Sequence, residues 1–310
     1  MNSLDIVIVN WNAGEQLADC LDSIRKATVQ VDLRRIIVVD NGSIDGSENA
    51  AEGLENLTLI RAGTNLGFAK ACNLGATQST SEFLLFLNPD SRLFPDSLSA
   101  AVKFMTRPEN AEVGICCVQL IDENGTISRS CSRFPSTIGF VAHAMGLDRL
   151  IPKLGHFMRE WDHSTTRKVD QVMGAFFLVR RCLYRALNGF DEQFFVYFEE
   201  VDFSYRAKRL GWYSIFLADT RAFHAGGGIS RQVKAKRLFY SLRSRILYAF
   251  KHFNPFGATV VVLVTIFLEP FCRSTLAIAR GSWPSLRETW AGYSLLSRWL
   301  PAWLLEGMTR

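Results

Sequence analysis

Three carboxylates stand within four residues, Glu199, Glu200 and Asp202, inside the aromatic stretch FEEVDF at 198–203. A carboxylate held among apolar side chains has a raised pKa, which suits a general base working near neutral pH. A simpler interpretation is also open. Acids at a helix start interact favourably with the helix dipole, and Asp202 is spaced to pair with Arg206 one turn later. The rest of the sequence has to decide between the two.

Polar side chains also follow four apolar runs. The groups are Asn10-Trp11-Asn12, Asp40-Asn41-Gly42-Ser43, Asn65-Leu66-Gly67 and Asn88-Pro89-Asp90. Any one of them could be an ordinary turn. If the runs are parallel strands, their carboxyl ends share one edge of a sheet, where ligands of α/β folds bind. Neither GxGxxG nor GxxxxGK[ST] follows the first run, which excludes the common dinucleotide and P-loop signatures.

The elements that must position these groups alternate between strand and helix patterns. Apolar runs at 4–12, 33–43, 57–65 and 82–91 predict strands, and segments 14–27, 67–79 and 94–105 predict helices. Residues 107–165 appear less regular in pattern, a strand and short helix are expected within 169–192, and a helix begins at Glu199. Continuous apolar strands predict a mostly parallel sheet covered on both faces, an α/β fold.

Composition limits the function classes. The chain has 310 residues and a formal net charge of +5, but residues 231–310 contain twelve Lys/Arg and three Asp/Glu, or +9, which leaves −4 for the first 230. Nucleic-acid binding by the main domain is therefore not expected. The seven cysteines form no CxxC pair, and residues 1–17 lack the basic and long apolar parts of a signal peptide. We expect reduced thiols and a cytoplasmic location.

Seven blocks in this order resemble family 2 glycosyltransferases, and especially bacterial rhamnosyltransferase-like members. The blocks are IVIVNWN, VVDNGSIDGS, NLGFAKACNLG, LFLNPDS, GAFFLVRR, GFDEQFFVYFEEVDFSYRAKRLGW and FHAGGGIS, which span about 4–230. The resemblance implies a GT-A (Rossmann-like) fold, a nucleotide-sugar donor, a divalent metal and inversion at the anomeric carbon. It implies a glycosyltransferase domain over 1–230, with a nucleotide-sugar-binding half at 1–107 and an acceptor and catalytic half at 108–230.

The same resemblance assigns roles on the donor side. Asp40 matches the acid that hydrogen-bonds the base or ribose, and Asn10 and Asn12 lie at the neighbouring strand end. Asn65, Gly67 and Asn73 match the donor-lining loop, where glycine lets a ligand approach the backbone closely. Each position also has an ordinary structural interpretation as a turn or a helix start.

Asn88-Pro89-Asp90 stands at the metal-binding DxD position, with Asn in place of the first acid. Asp90 is then the anionic ligand for Mg²⁺ or Mn²⁺, and His224 matches a histidine that completes the metal or diphosphate site. The glycines after His224 suggest a loop that orders when the donor binds. A turn and a structural histidine are the alternatives.

Glu200 matches the general base of the family, which usually has Asp there, so its carboxylate is displaced by one methylene; Glu199 is the second candidate. The resemblance places Asp170 and Met173-Gly174-Ala175 near the acceptor.

The tail at 231–310 predicts membrane contact. Residues 231–252 form a basic amphipathic pattern. The apolar run 258–268, which Glu269 ends, is too short to span a bilayer, and Trp283, Trp290, Trp299 and Trp303 follow among basic residues. We expect a helical tail attached peripherally to the anionic inner face of the plasma membrane. The wider window 253–272 could form a re-entrant or shallowly inserted segment, or the apolar run could instead pack on the domain.

These patterns predict an inverting, metal-dependent glycosyltransferase that moves a sugar, L-rhamnose from dTDP-rhamnose by resemblance, to a lipid-linked glycan. Two alternatives remain. A nucleotidylyltransferase lacks its Gly-rich basic N-terminal loop here. A membrane-associated glycan-binding or scaffold protein with a degenerate site is consistent with Asn88 and Glu200.

Overall fold

The computed structural model describes residues 3–226 and 234–307. Contacts along the chain define two compact units. Unit 1 comprises 1–132, 161–192 and 199–228, and unit 2 comprises 133–160, 193–198 and 229–310. Two segments from within the predicted first domain, 133–160 and 193–198, thus belong with the tail.

The described residues form eleven strands. They are β1 Ser3–Asn10, β2 Asp32–Asp40, β3 Leu57–Arg61, β4 Phe83–Leu87, β5 Ser91–Leu93, β6 Val113–Ile121, β7 Cys131–Ser132, β8 Arg167–Val169, β9 Gln171–Val172, β10 Phe176–Arg180 and β11 Tyr213–His224. Nine of them make one sheet in the order β3-β2-β1-β4-β10-β6-β11-β5, with β8 beside β11, and β7 pairs with β9.

The main sheet is mostly parallel, as the sequence predicts. β1 pairs in parallel with β2 and β4, and β2 with β3. β10 is antiparallel to both β4 and β6, so β6 and its parallel partner β11 run in the same direction as the first four strands. Successive residues of β1 and β4 are buried, which shows that both faces of the sheet are covered.

Ten α-helices complete the described chain. They are α1 Gln16–Lys26, α2 Phe68–Ala76, α3 Ser97–Met105, α4 Thr137–Ala144, α5 Arg181–Ala186, α6 Glu199–Arg209, α7 Lys234–His252, α8 Pro255–Leu263, α9 Glu269–Ala279 and α10 Trp283–Glu306. Helix α2 approaches the sheet closely, because a Cβ on its Gly75 would lie 2.6 Å from Val7 Cγ1.

The expectation of an irregular section at 107–165 was wrong for its first part. Residues 113–121 form β6, which is buried over eight of its nine positions and joins β10 to β11 in the sheet. The predicted strand at 82–91 is two strands, β4 and β5, separated by a turn at Asn88–Asp90. Helix α4 also lies within the section that the sequence pattern leaves without regular structure.

In unit 2, α8 and α9 form one continuous helix through a π-helical turn at Val264–Leu268. Glu269, expected to end the apolar run, is buried and ion-paired with Arg245 and Arg273. Burial opposes ionisation of Glu269, but the two guanidinium charges lower its pKa to about 2. The helix Pro255–Ala279 has 25 residues and an 18-residue window of mean hydropathy 1.8. By length and composition alone it could cross a membrane, which is weak evidence.

Candidate active site

The predicted site residues of unit 1 lie at the carboxyl ends of strands that run in one direction. Asn10 ends β1, Asp40 ends β2, Asn88 follows β4 and His224 ends β11. Because these strands are mutually parallel, their last residues share one edge of the sheet. The structure therefore brings these predicted side chains to one rim.

A buried hydrogen-bonded cluster joins the ends of β1 and β2. The amide Nδ2 of Asn10 donates to Asp40 Oδ1 at 3.0 Å, to Ser43 Oγ at 3.1 Å and to Ser47 Oγ at 2.9 Å. Asn12 has a positive φ of 51°, and its Oδ1 accepts from the Ile44 backbone N–H at 2.8 Å. Within residues 3–226, Asn10 Oδ1 is buried without a hydrogen-bond partner. The cluster fixes the Asp40 carboxylate at the rim.

The loop before α2 is tied to the turn after β2. Asn65 Oδ1 accepts from Asn41 Nδ2 at 3.1 Å and from the Gly67 N–H at 2.9 Å, while Asn41 Oδ1 accepts from the Leu66 N–H at 2.8 Å. Gly42 has φ +78°, and a Cβ there would lie 2.8 Å from the Thr64 carbonyl carbon. Only glycine fits this close approach of two backbones.

Four structural residues of the rim were not predicted as site residues from the sequence. They are Asn41, Gly42, Ser43 and Ser47. The signal was present, since all four lie in the block VVDNGSIDGS. Pattern reasoning assigns such residues to an isolated turn, whereas the structure shows that they hold two strand ends and a loop together.

Asn73 has a different environment from the one expected. Its Nδ2 donates to Phe190 O at 2.9 Å and to Glu192 Oε1 at 3.1 Å, and its Oδ1 accepts from Tyr184 Oη and from the Phe190 N–H. These bonds use the hydrogen-bonding capacity of the amide to join α2 to the 184–192 segment. Asn73 thus has a supporting role in holding α2, and the structure does not place its side chain with the residues of the predicted donor-lining loop.

The turn after β4 brings Asn88, Asp90 and His224 together. The His224 Nε2 lies 3.3 Å from Asp90 Oδ1 and 3.4 Å from Asn88 Nδ2. The backbone fixes the turn, because the Asn88 N–H donates to Ala175 O at 3.1 Å and the Ala225 N–H donates to Asp90 O at 3.1 Å. β5 pairs with the end of β11 in register, Ser91 opposite His224. His224, although distant from Asp90 in sequence, is thus held at the Asp90 carboxylate.

This group fits a divalent cation that receives further ligands from a diphosphate. A carboxylate, an imidazole and an amide can supply oxygen and nitrogen ligands to Mg²⁺ or Mn²⁺. The described residues contain no group of three or more His, Cys, Asp or Glu side chains suited to a metal. With so few protein ligands, we expect weak metal affinity until phosphate oxygens join the set.

Glu199 and Glu200 begin α6. Glu199 is buried and Glu200 is partly exposed, and the Oε2 atom of each has no hydrogen-bond partner among the described residues. Burial raises the pKa of Glu200 to about 6. Burial, followed by the neighbouring Glu200 charge, raises the pKa of Glu199 well above its usual range. A carboxyl group with a pKa near 6 is suited to general base work near neutral pH.

Helix α2 passes close to both acids. The Cys72 thiol of α2 is buried, and after burial the charges of Glu199 and Glu200 are the causes that raise its pKa. The chain enters α6 through two non-glycine residues with positive φ, Tyr197 at 67° and Phe198 at 72°. Such conformations are uncommon and concentrate at functional positions.

The remaining acid of the motif is structural, as expected. Asp202 is buried, and Arg206 Nε donates to its Oδ2 at 2.6 Å while the same guanidinium donates to Leu187 O and Gly189 O. Phe203 packs in an aromatic cluster with Phe177, Tyr184 and Phe190. These contacts hold α6, so the crowding of acids combines one structural ion pair with two carboxyl groups for which residues 3–226 and 234–307 show no ion pair.

The residues expected near the acceptor divide between two surroundings. Ala175 O accepts from the Asn88 N–H and, at 3.4 Å, from Ser91 Oγ, so the Met173-Gly174-Ala175 stretch lies against the turn at Asn88–Asp90. Asp170 instead pairs with Lys208 at 3.0 Å. Gly227 and Gly228, part of the predicted closing loop, lie outside the described residues.

The sheet has the GT-A fold, which it shares with solved glycosyltransferases. The mannosyltransferase PcManGT from Pyrobaculum calidifontis, solved in complex with GDP-Man and Mn²⁺, matches with a TM-score of 0.57 at 19% identity, over 98% of this chain and 87% of that one. GalNAc-T7 with UDP, GalNAc and Mn²⁺ matches with a TM-score of 0.56 at 14% identity, over 80% and 51%.

The family follows from the sequence itself. The family model described as "Glycosyl transferase family 2" matches residues 5–186, more than half of the chain, and the chain belongs to this family. It is 28% identical over 236 residues to the N-acetylglucosaminyl-diphospho-decaprenol L-rhamnosyltransferase of Mycobacterium tuberculosis, covering 71% of this chain and 75% of that protein. It is 29% identical over 170 residues to the rhamnosyltransferase WbbL of Escherichia coli K12, covering 54% and 61%. The chain is a glycosyltransferase.

Proposed function

We propose that this chain is an inverting, divalent-metal-dependent glycosyltransferase that moves L-rhamnose from a nucleoside diphosphate donor to a hydroxyl group of a lipid-linked glycan. The observation that carries the metal and donor part is the convergence of Asp90, His224 and Asn88 at the rim. The names of the relatives support the sugar and the lipid-linked acceptor.

The donor nucleoside binds along the ends of β1 and β2. The Asp40 carboxylate, held by Asn10, accepts hydrogen bonds from the base or ribose, and Asn12 lines the same edge. Asn65 and Gly67 present the loop backbone before α2 to the ligand. Gly67 is buried with φ +83°, so a side chain would be strained there and the loop depends on glycine.

Asp90 and His224 hold the cation and Asn88 lies beside them. A bound Mg²⁺ or Mn²⁺ would neutralise the charge that develops on the diphosphate leaving group. The protein contributes a fixed carboxylate and a fixed imidazole, since the strand pairing of β5 with β11 keeps both in place.

Glu200 accepts the proton of the attacking acceptor hydroxyl. The base has to be ionised, and a pKa of about 6 leaves it mostly ionised at neutral pH while keeping it basic enough to take a proton. Glu199, buried beside it, keeps a proton to higher pH and can hydrogen-bond the acceptor as a neutral carboxyl group. Glu200 has one methylene more than the family aspartate, which displaces its carboxylate. Glu199 is therefore the second candidate for the general base.

Unit 2 attaches the chain peripherally to the anionic inner face of the plasma membrane. Helix α7 carries basic residues, the helix 255–279 is apolar, and Trp283 and Trp290 are exposed. Basic and aromatic side chains beside an apolar helix are typical of interfacial attachment. The measurement is cell fractionation followed by a salt wash. A protein that stays wholly in the soluble fraction at low salt contradicts this attachment.

The proposed reaction is tested by incubating the purified chain with Mn²⁺, a short lipid-linked GlcNAc diphosphate acceptor and, in turn, dTDP-rhamnose, UDP-GlcNAc and GDP-mannose. We expect a product one deoxyhexose heavier with dTDP-rhamnose only, and an inverted anomeric configuration by NMR. Transfer from another donor would correct the sugar. Absence of both transfer and donor hydrolysis with every donor would favour the glycan-binding or scaffold alternative.

A further inference from the structure

A second apolar surface of unit 2 lies far from the C-terminal tail in sequence. The segment 145–157, called the tip below, follows α4 and exposes Met145, Leu147, Leu150, Ile151, Leu154 and Phe157. Leu150 is 80% exposed. Soluble proteins expose single apolar residues commonly, but here six large ones are exposed within thirteen consecutive residues, and clustered exposed apolar side chains mark interaction sites.

The tip is folded around a buried residue, so its apolar side chains are exposed in the folded protein. Asp148 is buried at its centre, and the carboxylate contacts His143 Nδ1 at 2.9 Å and Arg159 Nη2 at 3.9 Å. Gly155 packs directly on it, since a Cβ there would lie 2.7 Å from Asp148 Cβ. The apolar side chains therefore point outward around a polar, hydrogen-bonded centre, the reverse of the usual arrangement.

The charges on the tip have one sign. Arg149 and Lys153 are exposed between the apolar residues, whereas Asp148, the single acid between 145 and 157, is buried. Exposed apolar side chains that alternate with basic ones suit a partner whose interior is apolar and whose outer surface is negatively charged. An anionic phospholipid leaflet has this arrangement, and basic side chains near its surface are attracted to it.

The tip continues into the apolar helix of the same unit. Helix α4, which leads into the tip, packs on α8, where a Cβ on Gly257 would lie 2.6 Å from Thr137 Oγ1, and the Phe140 and Phe253 rings lie 6.0 Å apart. The outer face of the 255–279 helix exposes Phe256, Leu263, Phe267 and Phe271. We call these four residues the helix stripe.

The opposite face of that helix is fixed to the protein. Ala258, Val261, Thr265 and Glu269 are buried, and Glu269 forms its ion pairs with Arg245 and Arg273 in the middle of the apolar length. A helix that crossed the bilayer would carry this charged group into the hydrocarbon centre, which is costly. A helix lying in the interface keeps the ion pairs inside the protein and presents only the stripe to lipid.

We propose that the tip and the helix stripe form one membrane-binding surface that inserts shallowly into an anionic leaflet, and that the 255–279 helix lies in the interface without crossing it. This goes beyond attachment by a basic tail, because an internal segment of the chain, 145–157, is an anchor in its own right. It does not depend on the sugar, the metal or the general base.

The first test is flotation of the full chain with phosphatidylcholine vesicles that contain one quarter phosphatidylglycerol. The variant Leu150→Glu/Ile151→Glu should lower the vesicle partition coefficient by at least about tenfold, because burying each apolar side chain contributes substantially and each new acid is repelled. The matched control Val29→Glu/Leu210→Glu places the same charges on exposed apolar positions of unit 1. It should float like the parent chain. Equal flotation of both variants overturns the role of the tip.

A second measurement detects insertion of the tip directly and does not require a variant with weakened vesicle binding. In a Cys182→Ser/Cys272→Ser background, Leu150→Cys or Val29→Cys is labelled with a polarity-sensitive fluorophore. Vesicles should shift the emission to the blue at position 150 and leave position 29 unchanged. A chain that floats with no shift at position 150 shows that the tail binds alone, which contradicts the proposal. A shift that appears with protein concentration and without vesicles identifies a contact between two copies, and also overturns it.

Discussion

The imidazole Nε2 of His224, the last residue of β11, lies 3.3 Å from Oδ1 of Asp90 in the turn after β4. Strand pairing between β5 and β11 keeps the two residues together, so the pair does not depend on a flexible loop. The same turn carries Asn88, Asp40 ends β2 at the same edge of the sheet, and the Glu199–Glu200 pair begins α6.

Glu200→Gln should abolish transfer without weakening donor binding. The amide keeps the size and hydrogen bonding of the side chain but cannot take a proton, and general base contributions are typically about 10²- to 10⁴-fold in rate. The measurement is kcat for transfer together with nucleotide affinity. The control is Glu109→Gln, at a site remote from the rim in sequence. A kcat within a few-fold of the parent chain would reject Glu200 as the base.

The rate should depend on pH through the same group. A base is active when ionised, and burial raises the pKa of Glu200 from the usual range to about 6. The kcat should therefore fall about tenfold per pH unit below 6 and level off above it. Because the two acids interact, the midpoint belongs to the Glu199–Glu200 pair. A flat profile down to pH 5 would contradict the assignment of the pair as the proton acceptor.

Gly42→Ala should weaken donor binding more than Gly63→Ala. Both glycines have positive φ, +78° and +73°, so both substitutions introduce similar backbone strain. A Cβ at Gly42 also meets the Thr64 backbone at 2.8 Å, whereas a Cβ at Gly63 meets nothing within 4 Å. The measurement is nucleotide affinity of the two variants. Equal affinity would show that the packed Asn41–Asn65 turn does not shape the donor site.

Glu199→Gln should stabilise the folded chain, and more so at high pH. The folded protein raises the pKa of Glu199, so the parent chain loses stability as pH rises through that raised value, whereas the amide has no charge to bury. We expect the thermal unfolding temperature to rise at pH 8 and to rise by less at pH 5. An unchanged or lowered Tm at pH 8 would mean that the Glu199 charge is compensated in the fold.

The sequence predicts the first half of the sheet well because its strands are continuous apolar runs separated by clear turn residues. β6 was missed although VGICCVQLI is also an apolar run between the turn-forming stretches RPEN and DENG. The pattern was sufficient, and the strand could have been found by the same rule.

Other features lie beyond single-sequence reasoning. The bonding of Asn73 to the 184–192 segment depends on a tertiary contact that no local pattern encodes. The grouping of 133–160 with the C-terminal helices follows from packing, for example of α4 on α8, and not from composition. Glu269, expected to end the apolar run, is accommodated by Arg245, which lies on a different helix.

The central claim is that Asp90 and His224 form a metal-dependent site for a nucleoside diphosphate. The most direct measurement is calorimetric binding of dTDP, UDP and GDP to the parent chain and to Asp90→Ala, each with and without Mn²⁺, with Asp96→Ala as the exposed control. We predict that one nucleotide binds in the presence of Mn²⁺, and that Asp90→Ala loses this binding while Asp96→Ala keeps it. Equal binding with and without metal, or full binding to Asp90→Ala, would contradict the account.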